Sequence, residues 1–142
     1  EYQIPINLIQ LEILETDASV DSKLLIRFLQ IFKSSGFSLA MDDFGSGYSS
    51  LGMFNSMPID CLKLDKSFFD SWQPDMSERD SCLIKYMIKA AHDTGRTVVA
   101  EGIEEKFQVD LLRQYDCDMI QGYYFSKPLP AEEFASKMHK RV

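Results

Sequence analysis

Five times along this chain a short apolar run gives way to an amphipathic stretch, and no two runs are joined by a hairpin turn. The spacing predicts strands over 9–14, 37–41, 61–65, 97–100 and 118–120. It predicts helices over 22–34, 50–55, 81–94, 104–115 and 132–141. Leu25, Phe28, Leu29 and Phe32 share a face in the first helix, and Leu83, Ile84, Met87, Ile88 and Ala91 do so in the third. Ser22 is placed to cap the first helix, Gly36 and Gly95 end the first and third, and Pro58 closes the second. The polar segment 73–80 (QPDMSERD) reads as a loop. Antiparallel neighbours need only a tight turn, whereas parallel neighbours need a crossover of about a dozen residues or more, usually a helix. The expectation is therefore an α/β fold, a parallel sheet with helices packed outside it.

The 142 residues suffice for one domain, and no domain boundary or low-complexity segment interrupts them. With 45% hydrophobic and 26% charged residues the chain reads as globular rather than disordered. Its net charge of −7 argues against a nucleic-acid polymer or an anionic membrane as partner. No apolar run approaches the roughly 20 residues of a membrane span, and Glu1-Tyr2-Gln3 does not open a signal peptide. Cys61, Cys82 and Cys117 are odd in number and widely spaced, which fits free thiols in a reducing cytoplasm. With only His92 and His139 besides, zinc is not expected.

Each predicted strand ends in chemically capable side chains: Glu12 and Glu15, Asp42 and Asp43, Lys63 and Asp65, Glu101, Gln121. In parallel α/β folds the carboxyl ends of all strands lie on one face, where active sites sit. Alternation sharpens this: if Leu39, Met41, Leu62 and Leu64 face the helices, then Ala40, Asp42, Cys61, Lys63 and Asp65 face the other way, as do Val99 and Glu101. One charged strand end is ordinarily a solvated loop edge, but five in register make a site. Adjacent carboxylates repel each other, so the Asp42–Asp43 pair calls for a metal ion, a lysine, or both. Hard oxygen donors suit magnesium, manganese or calcium. Two aspartates can serve two ions roughly 3.5–4 Å apart, clamping the attacking and leaving oxygens of an in-line phosphoryl displacement. Lys63 would then hold a water or a phosphate oxygen, and Glu101 would ligate metal or accept a proton. Gly45-x-Gly47-x-x-Ser50 also approximates a dinucleotide fingerprint with Asp65 as the ribose acid. Its third glycine is missing, and two aspartates before the turn would repel a pyrophosphate.

The segment Asp42-Asp43-Phe44-Gly45-Ser46-Gly47-Tyr48-Ser49-Ser50-Leu51 resembles the D-D-F-G-[ST]-G-Y-S-S-L loop of EAL domains, bacterial phosphodiesterases of cyclic di-GMP. Three further motifs follow in the family's order: Leu62 to Phe68 (LKLDKSF), Ala100 to Glu104 (AEGIE) and Gln121 to Pro130 (QGYYFSKPLP). The resemblance implies a TIM-type (β/α) barrel, here an incomplete barrel of about five βα units, with residues 1–142 the C-terminal portion of a single EAL domain. It implies that Glu12, Asp42, Asp43, Glu101 and Gln121 surround two divalent cations, Mg²⁺ or Mn²⁺. Lys63 becomes the lysine beside the hydrolytic water, with Asp65 and Glu104 close by. Glu15 becomes the anchor of the loop that Gly45, Ser46 and Gly47 allow to bend.

Two departures stand out. Leu14 replaces the threonine of the family's E-[LI]-T-E strand end, and no Glu-Ala-Leu or upstream metal-binding asparagine is present. The expected function is metal-dependent hydrolysis of cyclic di-GMP to linear pGpG by the parent domain, the chain alone being inactive. The alternative is an inactive EAL-like domain acting as a cyclic di-GMP receptor or a protein-interaction module. Five strands leave two open edges, so Ala40, Cys61 and Val99 are expected to face solvent and two copies to associate as a homodimer.

Overall fold

Every strand pairs with the next one in the chain, and every pairing is parallel. The computed structural model describes residues 3–16, 22–45 and 55–139. Its elements are β1 (Gln10–Leu14), α1 (Ser22–Ser34), β2 (Ser38–Phe44), β3 (Cys61–Leu64), α2 (Glu78–Asp93), β4 (Thr97–Ala100), α3 (Lys106–Gln114), β5 (Met119–Ile120) and α4 (Ala131–His139). The sheet order is β1-β2-β3-β4-β5. This is the predicted α/β alternation, as an open five-stranded sheet.

The two faces of the sheet divide as the period of two requires. Leu39, Met41, Leu62, Leu64, Val98 and Ala100 enter the main core with Leu29 of α1, Ile84 and Ile88 of α2, and Val109 and Leu112 of α3. Ala40, Cys61 and Val99 form a small cluster of their own on the opposite face. They do not face solvent: all three are buried. Their side chains are short, and longer ones stand around them. Gln10, Glu12, Lys63 and Met119 line a cavity of about 560 Å³, with Val99 among its walls.

Several element ends differ from expectation for identifiable reasons. Helix α2 starts at Glu78, not at 81, because Ser77 and Asp80 form a reciprocal cap. The Ser77 N–H and hydroxyl donate to Asp80 Oδ2 at 2.9 and 2.8 Å. Helix α3 starts at Lys106, where Gln108 Oε1 accepts the N–H groups of Glu104 and Glu105 at 3.1 and 3.0 Å. Strand β2 runs through both aspartates to Phe44. Of the helix expected over 50–55, only Asn55 lies within the described residues.

The amino ends of the strands are pinned by one device used twice. Asp60, just before β3, accepts the Leu39 N–H at 3.0 Å and Lys33 Nζ at 2.8 Å. Asp118, just before β5, accepts the Val98 N–H at 2.8 Å and lies 2.8 Å from His92 Nε2. In each case a carboxylate at the start of one strand ties down the preceding strand and the last turn of the helix that leads into that preceding strand. Burial works against the Asp118 carboxylate, but the bonds from His92 and Val98 hold its pKa below the usual value. With one end of the sheet stitched in this way, the other end is left for chemistry. Among the described residues no helix is long and apolar enough to cross a membrane.

Candidate functional site

At the carboxyl end of the sheet, neighbouring strands present a carboxylate, a second carboxylate, a lysine and a third carboxylate. Glu12 pairs with Ala40 across β1 and β2, and Lys63 with Val99 across β3 and β4, so alternation puts Glu12, Asp42, Lys63 and Glu101 on one face. Lys63 stands among them at 8% exposure. Its Nζ donates to Asp42 Oδ1 at 2.6 Å and lies 2.8 Å from Glu12 Oε1 and 3.2 Å from Glu101 Oε1. Burial disfavours the ammonium, but bonds to Asp42, Glu12 and Glu101 outweigh it and hold the Lys63 pKa above the ordinary lysine value. Burial pushes the Glu101 carboxyl up, against the pull of Lys63.

Strict alternation would send Asp43 to the helix side. The backbone breaks that rule: the pairing of β2 with β3 shifts between Met41 and Phe44, and Asp43 takes a left-handed φ of 52°. Aspartate tolerates this conformation better than most residues. The bulge turns Asp43 back, so Asp42, Asp43 and Glu101 each offer an oxygen within 4.8 Å of the others. An all-carboxylate donor set of this spread fits a hard divalent cation.

The other expected site residues fall around this centre in different ways. Glu15, 3% exposed, accepts the Gly45 N–H through Oε2 at 2.7 Å, holding the start of the loop after β2. Gly45 has a φ of 98°, while Ser46 and Gly47 lie outside the described residues. Gln121 lines the same cavity as Glu12 and Lys63. Asp65 does not join the cluster. It lies past the end of β3, and its Oδ1 accepts the Ser67 N–H at 2.9 Å, capping the 3-10 turn Lys66–Phe68. Bonds from Ser67 keep its pKa low. Glu104 is likewise not one of the three clustered carboxylates. It lines a depression of about 270 Å³ with Lys66 and Gly102, and its N–H donates to Gln108 Oε1 at 3.1 Å.

Proteins of known kind match this chain over most of its length. The EAL domain family model matches residues 1–128. The cyclic di-GMP phosphodiesterase NbdA of Pseudomonas aeruginosa is 39% identical over 129 residues, 89% of this chain and 16% of NbdA. The crystal structure of the EAL domain of Mycobacterium smegmatis DcpA superposes with a TM-score of 0.86 at 31% identity, over 96% of this chain and 60% of that one. A manganese and cyclic di-GMP complex of Klebsiella pneumoniae BlrP1 superposes at 0.79 with 27% identity, over 88% of this chain and 31% of that one. The chain thus spans about a sixth of the curated relative and up to three-fifths of these solved chains. A family match over residues 1–128, joined to a fold shared with EAL structures, makes this chain a member of the EAL domain family, with the TIM-barrel type of fold.

Proposed function

We propose that the chain is the C-terminal portion of a single EAL domain, and that its parent protein hydrolyses cyclic di-GMP to linear pGpG with Mg²⁺ or Mn²⁺. The observation that carries this reading is the buried Lys63 shared by Glu12, Asp42 and Glu101, with Asp43 turned back into the same cluster. One ammonium among four carboxylates leaves negative charge in excess, which a divalent cation would offset. The matched relative NbdA is a cyclic di-GMP phosphodiesterase, and the BlrP1 complex holds manganese and cyclic di-GMP. Both support the choice of substrate and ion.

In this reading Glu12, Asp42, Asp43 and Glu101 would hold the divalent ions, which when bound would offset the phosphate's charge and polarise the phosphodiester. With a cation bound, one of the three carboxylates would turn from Lys63 to the ion, and the N–H so freed would orient the attacking water. Water adds to phosphorus as the P–O3′ bond breaks. A carboxylate, Glu101 or Asp43, takes one proton from the water and passes it, directly or through solvent, to the departing 3′ oxygen, leaving a 3′ hydroxyl and a 5′ phosphate. Gln121 donates to the nucleotide from the wall of the cavity. Glu15 and Gly45 hold the loop to which Ser46 and Gly47 belong. Asp65 acts at one remove, through the turn it caps, and Glu104 from the adjacent depression.

The chain alone is expected to turn over little and to self-associate, since among the described residues β1 and β5 each pair on one side only. The test is chromatographic separation of pGpG from cyclic di-GMP after incubation with the intact parent protein and Mn²⁺. The expected result is conversion that stops in excess EDTA. Full conversion in EDTA would overturn the reading.

A further inference from the structure

The turn Lys66–Phe68 is seated between two glycines that belong to neighbouring strand ends. At Gly45 a β-carbon would lie 2.0 Å from Phe68 Cε2 and 2.1 Å from Cζ. At Gly102, whose φ is 68°, a β-carbon would lie 2.4 Å from Lys66 Cβ. Contacts this short leave room for no side chain, so both loops rest directly on the turn. Gly45 comes two residues after Asp43, and Gly102 comes directly after Glu101. The turn therefore lies between the backbone segments that carry two carboxylates of the cluster.

The turn is itself held firmly. Asp65 Oδ1 caps it through the Ser67 N–H, and the Phe69 N–H closes it onto Lys66 O at 2.8 Å. Phe69, 2% exposed, roots it in the core, edge-on to Trp72 at 5.1 Å between ring centroids. On the other side, Glu15 draws the Gly45 N–H to 2.7 Å. Gly45 is thus held between an acceptor just past the end of β1 and an aromatic ring from the turn after β3.

Resting on the divalent-cation reading of the cluster, we propose that Phe68 is a positioning residue: the turn that carries it is a spacer between Gly45 and Gly102 that sets the separation of Asp43 from Glu101. Phe68 touches neither ion nor substrate. It acts by giving Gly45, two residues after the left-handed Asp43, a fixed wall, and removing the ring lets the loop relax inward.

The experiment compares the unmodified protein with Phe68→Ala, Phe68→Leu and the control Ile88→Val, a buried core residue of α2 outside the turn. Two readings are taken: Mn²⁺ affinity by calorimetry, and amide exchange at Gly45. Phe68→Ala is expected to weaken Mn²⁺ binding about tenfold or more and to speed Gly45 exchange by about tenfold or more. Phe68→Leu, which keeps part of the wall, should recover most of both. Ile88→Val should lower the melting temperature yet leave both readings near the unmodified values. Unchanged affinity and exchange in Phe68→Ala would overturn the proposal, as would equal losses in Ile88→Val, which would make Phe68 ordinary core. If Phe68→Ala does not fold, Phe68→Val, which also removes the ring, takes its place with the same expected losses. Absence of Mn²⁺ binding by the unmodified protein would overturn the cation reading instead, and Gly45 exchange would still decide whether Phe68 positions the loop.

Discussion

Replacing Lys63 by methionine keeps most of the side-chain volume and removes the charge. The ammonium is one of few compensations for a dense patch of negative charge: Asp42 and Glu101 are 18% and 16% exposed at the side chain, while Glu12 is 45% exposed and can turn to water. Breaking a buried ion pair from one side costs about 3–5 kcal/mol, because the remaining charge is left uncompensated. Two partly buried partners would argue for the top of that range. The nearness of solvent at Glu12, and the freedom of the carboxylates to move apart, argue for the bottom. The expected loss is about 3 kcal/mol, which for a domain of this size lowers the melting temperature by about 10 °C. Thermal and urea unfolding of the two forms in metal-free buffer measure it. Adding Mn²⁺ should then stabilise Lys63→Met more than the unmodified protein, because a divalent ion supplies the missing positive charge. If Lys63→Met matches or exceeds the unmodified protein in stability without metal, the ammonium does not compensate the carboxylates. The electrostatic account of the site then fails.

Other outcomes follow from the same geometry. In the intact parent protein, Lys63→Ala should lower the rate of pGpG formation by about 10²-fold or more, with unchanged far-ultraviolet circular dichroism. Unchanged turnover would make Lys63 structural only. Asp118 has a folded pKa below its unfolded value of about 3.9, so its contribution is present at neutral pH and is lost as pH falls below about 4. Asp118→Ala should therefore lower the melting temperature at pH 7 and narrow its gap to the unmodified protein toward pH 3. A constant gap would refute this. Light scattering of the purified chain should give the mass of a dimer or larger species; a well-folded monomer would remove the self-association proposal.

Period-two alternation was enough to put Ala40, Cys61, Lys63 and Val99 on one face and Leu39, Leu62 and Val98 on the other, because strands leave side chains no third direction. The position of Asp43 was not legible in that way. Its return to the cluster depends on a register shift against β3 and a left-handed backbone, which no local pattern announces. Asp65 looked like an inner-face residue by counting, but the strand ended one residue sooner and the carboxylate found a nearer donor in Ser67. The start of α2 was hidden in a polar stretch, although Ser77-x-x-Asp80 is a capping signal once acidic residues other than glutamate are admitted. Ala40, Cys61 and Val99 were expected to be exposed because counting strands says nothing about how tall the neighbouring side chains stand. The contact of Phe68 with Gly45 joins segments that are distant in sequence, and only the packing reveals it.

Because the strands lie in the sheet in the order in which they occur in the chain, assembly on a ribosome needs no strand to wait for a later partner. The side-chain bonds that stitch neighbouring strands close loops of 20 to 37 residues. Loop-closure entropy over that range differs by only about 0.5 kcal/mol, so no single step is a bottleneck. The sheet can grow by accretion from β1 toward β5 as the polypeptide emerges. The charge cluster is different in kind. Lys63 meets Glu12 and Asp42 once β3 docks, but Glu101 reaches it only after β4 is in place. Docking of β4 is therefore the step at which the nascent chain closes its charge cluster, and protection of that cluster from exchange would time-stamp the event during synthesis.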